Sequence, residues 1–190
     1  EVMEEQKVTV DGVTHDVPQP FIVIATQNPI EQLGTYKLPE AQMDRFLIKT
    51  SIGYPGHDVS VDILKQVDIT DRAQTISPVL SGDDVMRLRQ VATEIYVDDA
   101  IREYIVRLVE ATRHNEKITV GSSMRGALAL TRCARIWAAA DGRAYVVPDD
   151  VKLIRHQILR HRIVRTFDAL ANNVSSEELI NAIFDSVPTP

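Results

Sequence analysis

Phe21-Ile22-Val23-Ile24-Ala25 is an unbroken apolar run. A strand with one wet face alternates apolar and polar residues; an unbroken run suits a strand covered on both faces, as in a parallel sheet flanked by helices. The segments around it agree. The first five residues read as the end of a helix, and Lys7–Val10 and Val13–Val17 flank Asp11-Gly12. Asp-Gly between β-rich runs predicts a hairpin, because a type I′ turn needs positive φ at both central residues. After the apolar run comes a polar loop bearing Pro and Gly (Thr26 to Tyr36), then a short helix opened by Pro39 and Glu40, then a second strand around Phe46–Ile52. Tyr54-Pro55-Gly56 is turn chemistry and marks a boundary.

Beyond that boundary the apolar spacing becomes helical. Ser81 and Asp84 predict a capped start, followed by a stripe of Val85, Leu88 and Ala92. Asp98 or Asp99 opens a helix with Ile101, Ile105, Leu108, Val109 and Thr112 on one face. Ser122 is expected to cap a third, carrying Leu130, Cys133, Ala134 and Trp137 and ended by Gly142. Pro148 suits a first helical position, Asp149 and Asp150 complement the helix dipole, and Val151, Ile154, Ile158 and Leu159 face inward. Ser175 with Glu178 makes a capping box for a last helix with Leu179, Ala182, Ile183 and Val187 in its stripe. The expected fold is α/β followed by all-α, divided into residues 1–54 and 55–190.

With 44% hydrophobic and 25% charged residues, collagen-like, low-complexity and mainly disordered chains are excluded. No stretch approaches the roughly 18 apolar residues of a membrane span, and the acidic Glu1-Val2-Met3-Glu4-Glu5 is unlike a signal peptide. One cysteine, Cys133, excludes an internal disulfide framework and fits a reducing, cytoplasmic setting. The net charge of −6 divides unevenly: residues 125–165 carry +6 and the remainder −12. Such opposed fields point to an anion site, or to a surface that docks on an acidic one.

Three residues break local rules. Asn28, in Thr26-Gln27-Asn28-Pro29, lies just past the carboxyl end of the expected buried strand, the edge where open α/β sheets bind ligands. From spacing alone the plainer reading is an Asn-Pro turn starter. Arg45 ends a short helix where the chain re-enters the sheet, a rigid place from which a guanidinium could meet charge on a transferring phosphoryl group. The alternative is a surface arginine paired with Asp44. Arg125, third in its helix if Ser122 is the cap, opposes the macrodipole at a cost of about 0.3–1 kcal/mol. A bound anion would reverse that sign, met by free backbone N–H groups and the guanidinium together; otherwise Arg125 is simply solvated. His156 and His161 are five apart and share no helix face, so no metal site is expected. Cys133 reads as a packed thiol. No G-x-x-x-x-G-K-[ST] loop occurs.

Ala25-Thr26-Gln27-Asn28-Pro29-Ile30-Glu31-Gln32-Leu33-Gly34-Thr35-Tyr36, followed by Leu38-Pro39-Glu40-Ala41-Gln42-Met43-Asp44-Arg45-Phe46, resembles the MoxR family of AAA+ ATPases. The opening Met3 to Gly12 is similar to the segment after that family's Walker B region, and the likeness continues through Arg125 to Leu159-Arg160-His161-Arg162-Ile163 and the closing helix. The resemblance implies the C-terminal end of an AAA+ P-loop NTPase core, a hairpin plus parallel strands, followed by an α-helical lid, with the Walker A and Walker B halves missing.

The resemblance also implies roles. Asn28 would be sensor 1, positioning the attacking water; Arg45 would be the arginine finger reaching a neighbouring subunit's nucleotide; Arg125 would be sensor 2, contacting phosphate in cis from the lid. The hairpin around Asp11-Gly12 would face the pore of a ring. ATP and Mg2+ would serve the full-length protein, with this part alone inactive. A homo-oligomeric ring, a hexamer, acting as a chaperone-like ATPase with von Willebrand factor A-domain proteins is what the family implies, with nucleic acid not expected. The competing reading is a DNA-binding helical module using the basic segment 152–165, against which stand the acidic balance and the absence of aromatics for stacking. A third makes the basic lid a docking surface for an acidic partner or the adjacent subunit.

Overall fold

A computed structural model describes residues 2–27, 38–66 and 76–190. The chain opens with α1 (Val2–Glu5) and the hairpin of β1 (Lys7–Val10) and β2 (Val13–Asp16), paired antiparallel with Val10 opposite Val13. Asp11 and Gly12 take φ of 51° and 79°, the left-handed pair that a type I′ turn requires.

The runs 21–25 and 46–52 form no strand among the described residues, and Ile22, Ile24 and Ile52 are exposed. A strand exists only against a neighbour, and no described segment offers these runs a ladder. Between them lies α2 (Glu40–Met43), with Pro39 at its N-cap; α3 (His57–Lys65) follows the turn at Pro55-Gly56.

The buried core belongs to the helical half. Its elements are α4 (Gly82–Glu94), α5 (Asp99–Arg113), β3 (Ile118–Val120), α6 (Met124–Ala140), α7 (Pro148–Leu153), α8 (Arg155–Leu159), β4 (Val164–Arg165), α9 (Phe167–Ala171) and α10 (Ser176–Ser186). On α5 the expected face is the buried one: Ile101, Ile105, Leu108, Val109 and Thr112, joined by Tyr104. These meet Leu130 and Ala134 of α6, Ile158 and Leu159 of α8, and Ile180, Ile183 and Phe184 of α10. Tyr104 and Phe184 pack edge to face at 6.5 Å. Each fully buried aliphatic side chain contributes about 1.5–3 kcal/mol relative to leaving it in water.

Ser81 and Asp84 form the expected capping box, as do Ser175 and Glu178, and Asp98 caps α5. Other expectations need correcting. Ser123, not Ser122, caps α6, so Arg125 is second rather than third in the helix. Leu88 on α4, Trp137 in the last turn of α6 and Ala182 on α10 are exposed. The helix expected to run on from Pro148 breaks at Ile154 (φ −98°, ψ 0°) into α7 and α8. That break turns Ile158 and Leu159 into the core and carries the following residues, Arg160 to Arg162, toward the end of α2. β3 and β4 pair antiparallel, tying the loop before α6 to the segment after α8.

Candidate functional site

The site forms where three pieces of chain meet: the end of α2, the start of α6 and the turn after α8. Asp44, C-cap of α2, stands at the junction. Ser123 Oγ donates to its Oδ2 at 2.8 Å while accepting the Arg125 N–H at 3.1 Å. Arg125 Nη1 lies 3.5 Å from the same Oδ2, with the arginine side chain 49% exposed. The cation in the first turn of α6 is thereby offset by a carboxylate at the same helix end, which resolves the dipole conflict visible in the sequence. Ser123 already takes the Arg125 N–H, and the Gly126 N–H bonds the Ser123 carbonyl, so two of the first amides of this end are occupied.

Arg162 is the residue that sequence reasoning missed. Its side chain is 2% exposed, and its Nε lies 3.2 Å from Asp44 Oδ1, off the line of a hydrogen bond. Nη2 donates to the carbonyls of Asp44 (3.2 Å) and Phe46 (2.5 Å), and Nη1 to those of Leu47 (3.2 Å) and Ile158 (2.5 Å). A planar guanidinium with five donors can serve these four carbonyls from a spread fork, more than the three donors of a compact ammonium can reach. Burial lowers the Arg162 pKa and Asp44 opposes that effect. The available signal was position: Arg162 falls four residues after Ile158, in line with a buried face.

Gly126 makes room for this side chain. A Cβ there would lie 2.0 Å from Ser122 Oγ and 3.3 Å from Arg162 Cδ. His161 completes the junction: its Nε2 lies 3.1 Å from the Phe46 carbonyl and 2.9 Å from Arg162 Nη1. One nitrogen cannot donate to the first and accept from the second in the same tautomer. Burial pushes the imidazole down to about 4, with Arg162 and Lys49 adding to the effect, so it is neutral at pH 7. Arg160 donates to the Lys49 carbonyl at 2.7 Å, and the Lys49 N–H bonds Gln157 O at 2.8 Å.

Of the three predicted site residues, Arg45 is exposed and directly follows Asp44. Arg125 reaches that same Asp44. Asn28 lies outside the described residues; its neighbour Gln27 donates to Met43 Sδ of α2 at 3.8 Å. Among the described residues no group of three His, Cys, Asp or Glu could hold a metal ion. Burial raises the Cys133 pKa, in keeping with a packed thiol. Much of the basic run 152–165 turns inward: Arg162 is buried, and Arg155 donates to Asn181 Oδ1 and stacks over Phe184. No helix is long and apolar enough to cross a membrane among the described residues.

These residues offer a phosphate one half-exposed guanidinium. The half-exposed Arg125 sits at the start of a long helix, on a carboxylate that a phosphate could replace, whereas no phosphate-cradling Gly-Lys loop is present in the sequence.

The model of the ATPase family associated with various cellular activities (AAA) matches residues 1–48, and the AAA lid domain model matches residues 110–183. The chain is 41% identical over its full length to chaperone MoxR1 of Mycobacterium tuberculosis, covering 52% of that protein. It is 39% identical over its full length to YeaC of Bacillus subtilis, covering 59% of it. The chain thus spans between half and three-fifths of these curated relatives. Among solved structures, a protein from Cytophaga hutchinsonii assigned as an ATPase superposes with a TM-score of 0.90 at 33% identity, over all of this chain and 60% of that one.

Proposed function

The chain belongs to the MoxR family of AAA+ ATPases, and on that premise we propose that its residues complete an ATP-hydrolysing site shared between subunits of a ring. Residues 1–54 are the closing part of the ATPase core and residues 55–190 the linker and lid. Arg125 contacts phosphate in cis as sensor 2, Arg45 reaches the neighbouring subunit's nucleotide as the arginine finger, and Asn28, as sensor 1, orients the attacking water. Bound ATP with Mg2+ supplies the phosphoanhydride and the charge neutralisation that its cleavage requires. The work done is chaperone-like remodelling or maturation of partner proteins by a cytoplasmic homo-oligomer, a hexamer, together with von Willebrand factor A-domain proteins.

The observation that carries this reading is Asp44. Its carboxylate touches Ser123 and Arg125 at the start of α6, and the next residue is Arg45. The two arginines that the reading assigns to two different nucleotides are therefore one carboxylate apart. Phosphoryl transfer depends on positioning and charge stabilisation, so groups from two subunits can complete one site. Without a phosphate-cradling loop, these 190 residues alone do not turn over ATP.

The test is Arg45→Ala in the full-length, assembled protein. Turnover falls by about 10³-fold or more, while nucleotide binding stays near the unsubstituted level. Turnover within a few-fold of the unsubstituted protein overturns the assignment. A DNA-binding module is the competing reading; a salt-dependent gel shift with this chain, giving no binding at low salt, disposes of it.

A further inference from the structure

The inference rests on the roles just proposed for Arg125 and Arg45, and concerns how one informs the other. Asp44 faces two cations that hold it very differently. Arg162 is buried and fixed by four backbone carbonyls besides the carboxylate. Arg125 is half exposed and 3.5 Å away, a loose and screened contact. The Arg162 contact is built to stay, and the Arg125 contact to exchange.

Arg162 also grips the main chain on both sides of Arg45, at the carbonyls of Asp44 and Phe46. Arg45 has its backbone held and its side chain exposed. Asp44 and Arg45 therefore share one anchored stretch of main chain.

We propose that Asp44 is a positioning residue that holds Arg125 while no phosphate does, and that its release of Arg125 to phosphate ties loading of one subunit's site to the placement of Arg45 toward the next. A triphosphate carries more negative charge than one carboxylate and draws Arg125 away. Asp44 then leans on Arg162 and Ser123 alone, and the segment 44–47 settles against the lid. Arg45 is best aimed when its own subunit is loaded.

The test uses the full-length, assembled protein. Asp44→Asn keeps an acceptor for Ser123 and removes the charge. A non-hydrolysable ATP analogue then binds about two- to fivefold more tightly, since Arg125 no longer leaves the Asp44 carboxylate to meet it. The value of kcat falls about tenfold to a hundredfold, since Arg45 is less well aimed. A merely structural role would weaken binding and turnover together. Asp44→Glu restores the charge and returns the affinity toward that of the unsubstituted protein; in an Arg125→Ala background the gain from Asp44→Asn vanishes. Unchanged or weaker binding by Asp44→Asn overturns the proposal. In the unsubstituted protein, saturating analogue alters amide hydrogen exchange at residues 44–49, and Arg125→Ala removes that response; exchange indifferent to the analogue also overturns it. If Arg45→Ala and Arg125→Ala are themselves without effect, the underlying site reading fails. If they act as proposed and Asp44→Asn does nothing, only this inference fails.

Discussion

Arg162 reaches back across 118 positions of sequence to take the Asp44 carbonyl, with its Nε 3.2 Å from the Asp44 carboxylate. The two side chains are 2% and 16% exposed, so the pair is shielded from water as few of this protein's ion pairs are. Removing one partner of such a pair strands the other.

Arg162→Ala is therefore expected to destabilise the protein by about 3–5 kcal/mol, read from urea unfolding. Arg162→Lys recovers only part, because a single ammonium cannot serve the carbonyls of Asp44, Phe46, Leu47 and Ile158 together. Full recovery by lysine would show that charge alone matters here.

Gly126→Ala sets two effects against each other. Alanine gains about 1 kcal/mol of helix propensity, but its Cβ would meet Ser122 Oγ at 2.0 Å in a buried place. Overpacking of that kind costs about 1–3 kcal/mol, so a net loss is expected. Adding Ser122→Ala removes the clashing oxygen and restores most of it. Thermal midpoints of the single and double variants decide the matter, and a double variant no better than the single refutes the steric account.

His161 gives a pH dependence of known sign. Its folded pKa, about 4, lies below its ordinary value of 6.5, so the unfolded chain binds the extra proton first. Stability from this group is complete above pH 6.5 and is lost as pH falls from there toward 4. His161→Gln flattens the difference in unfolding free energy between pH 7 and pH 4.5 relative to the unsubstituted protein. An identical pH profile in the variant contradicts the shift.

Asp150 tests a second buried charge, remote in sequence from Asp44. It accepts from Arg143 at 2.5 and 2.9 Å and from the Val147 N–H at 2.8 Å, with its side chain 2% exposed. Asp150→Ala takes this partner from Arg143, which keeps Asp141 and the Tyr145 carbonyl, and takes the cap from Val147; it is expected to cost about 1–3 kcal/mol, whereas Asp150→Asn keeps the cap acceptor and costs less. Equal losses in the two variants would make the charge irrelevant.

The sequence made legible whatever depends on neighbours along the chain. Asp11-Gly12 carries its turn geometry locally, and the α5 face follows from a period that is visible without the fold. The α6 cap was misplaced by one residue because Ser122 and Ser123 are chemically equivalent, and only tertiary packing buries the first and leaves the second beside Asp44. The run 21–25 has the apolar pattern of a buried strand, but pattern does not supply a pairing partner. Arg45 and Arg125 stood out by breaking local rules; Arg162 breaks none, and its role depends on carbonyls more than a hundred residues away.

Arg162, from the far end of the lid, fastens the stretch that carries Arg45. Residues 44 and 162 are thus a matched pair, one on each side of the junction. Exchanging this lid for another keeps a sound junction only where the incoming chain brings a guanidinium to meet the Asp44 carboxylate; a hybrid without one carries an unmatched charge at its seam.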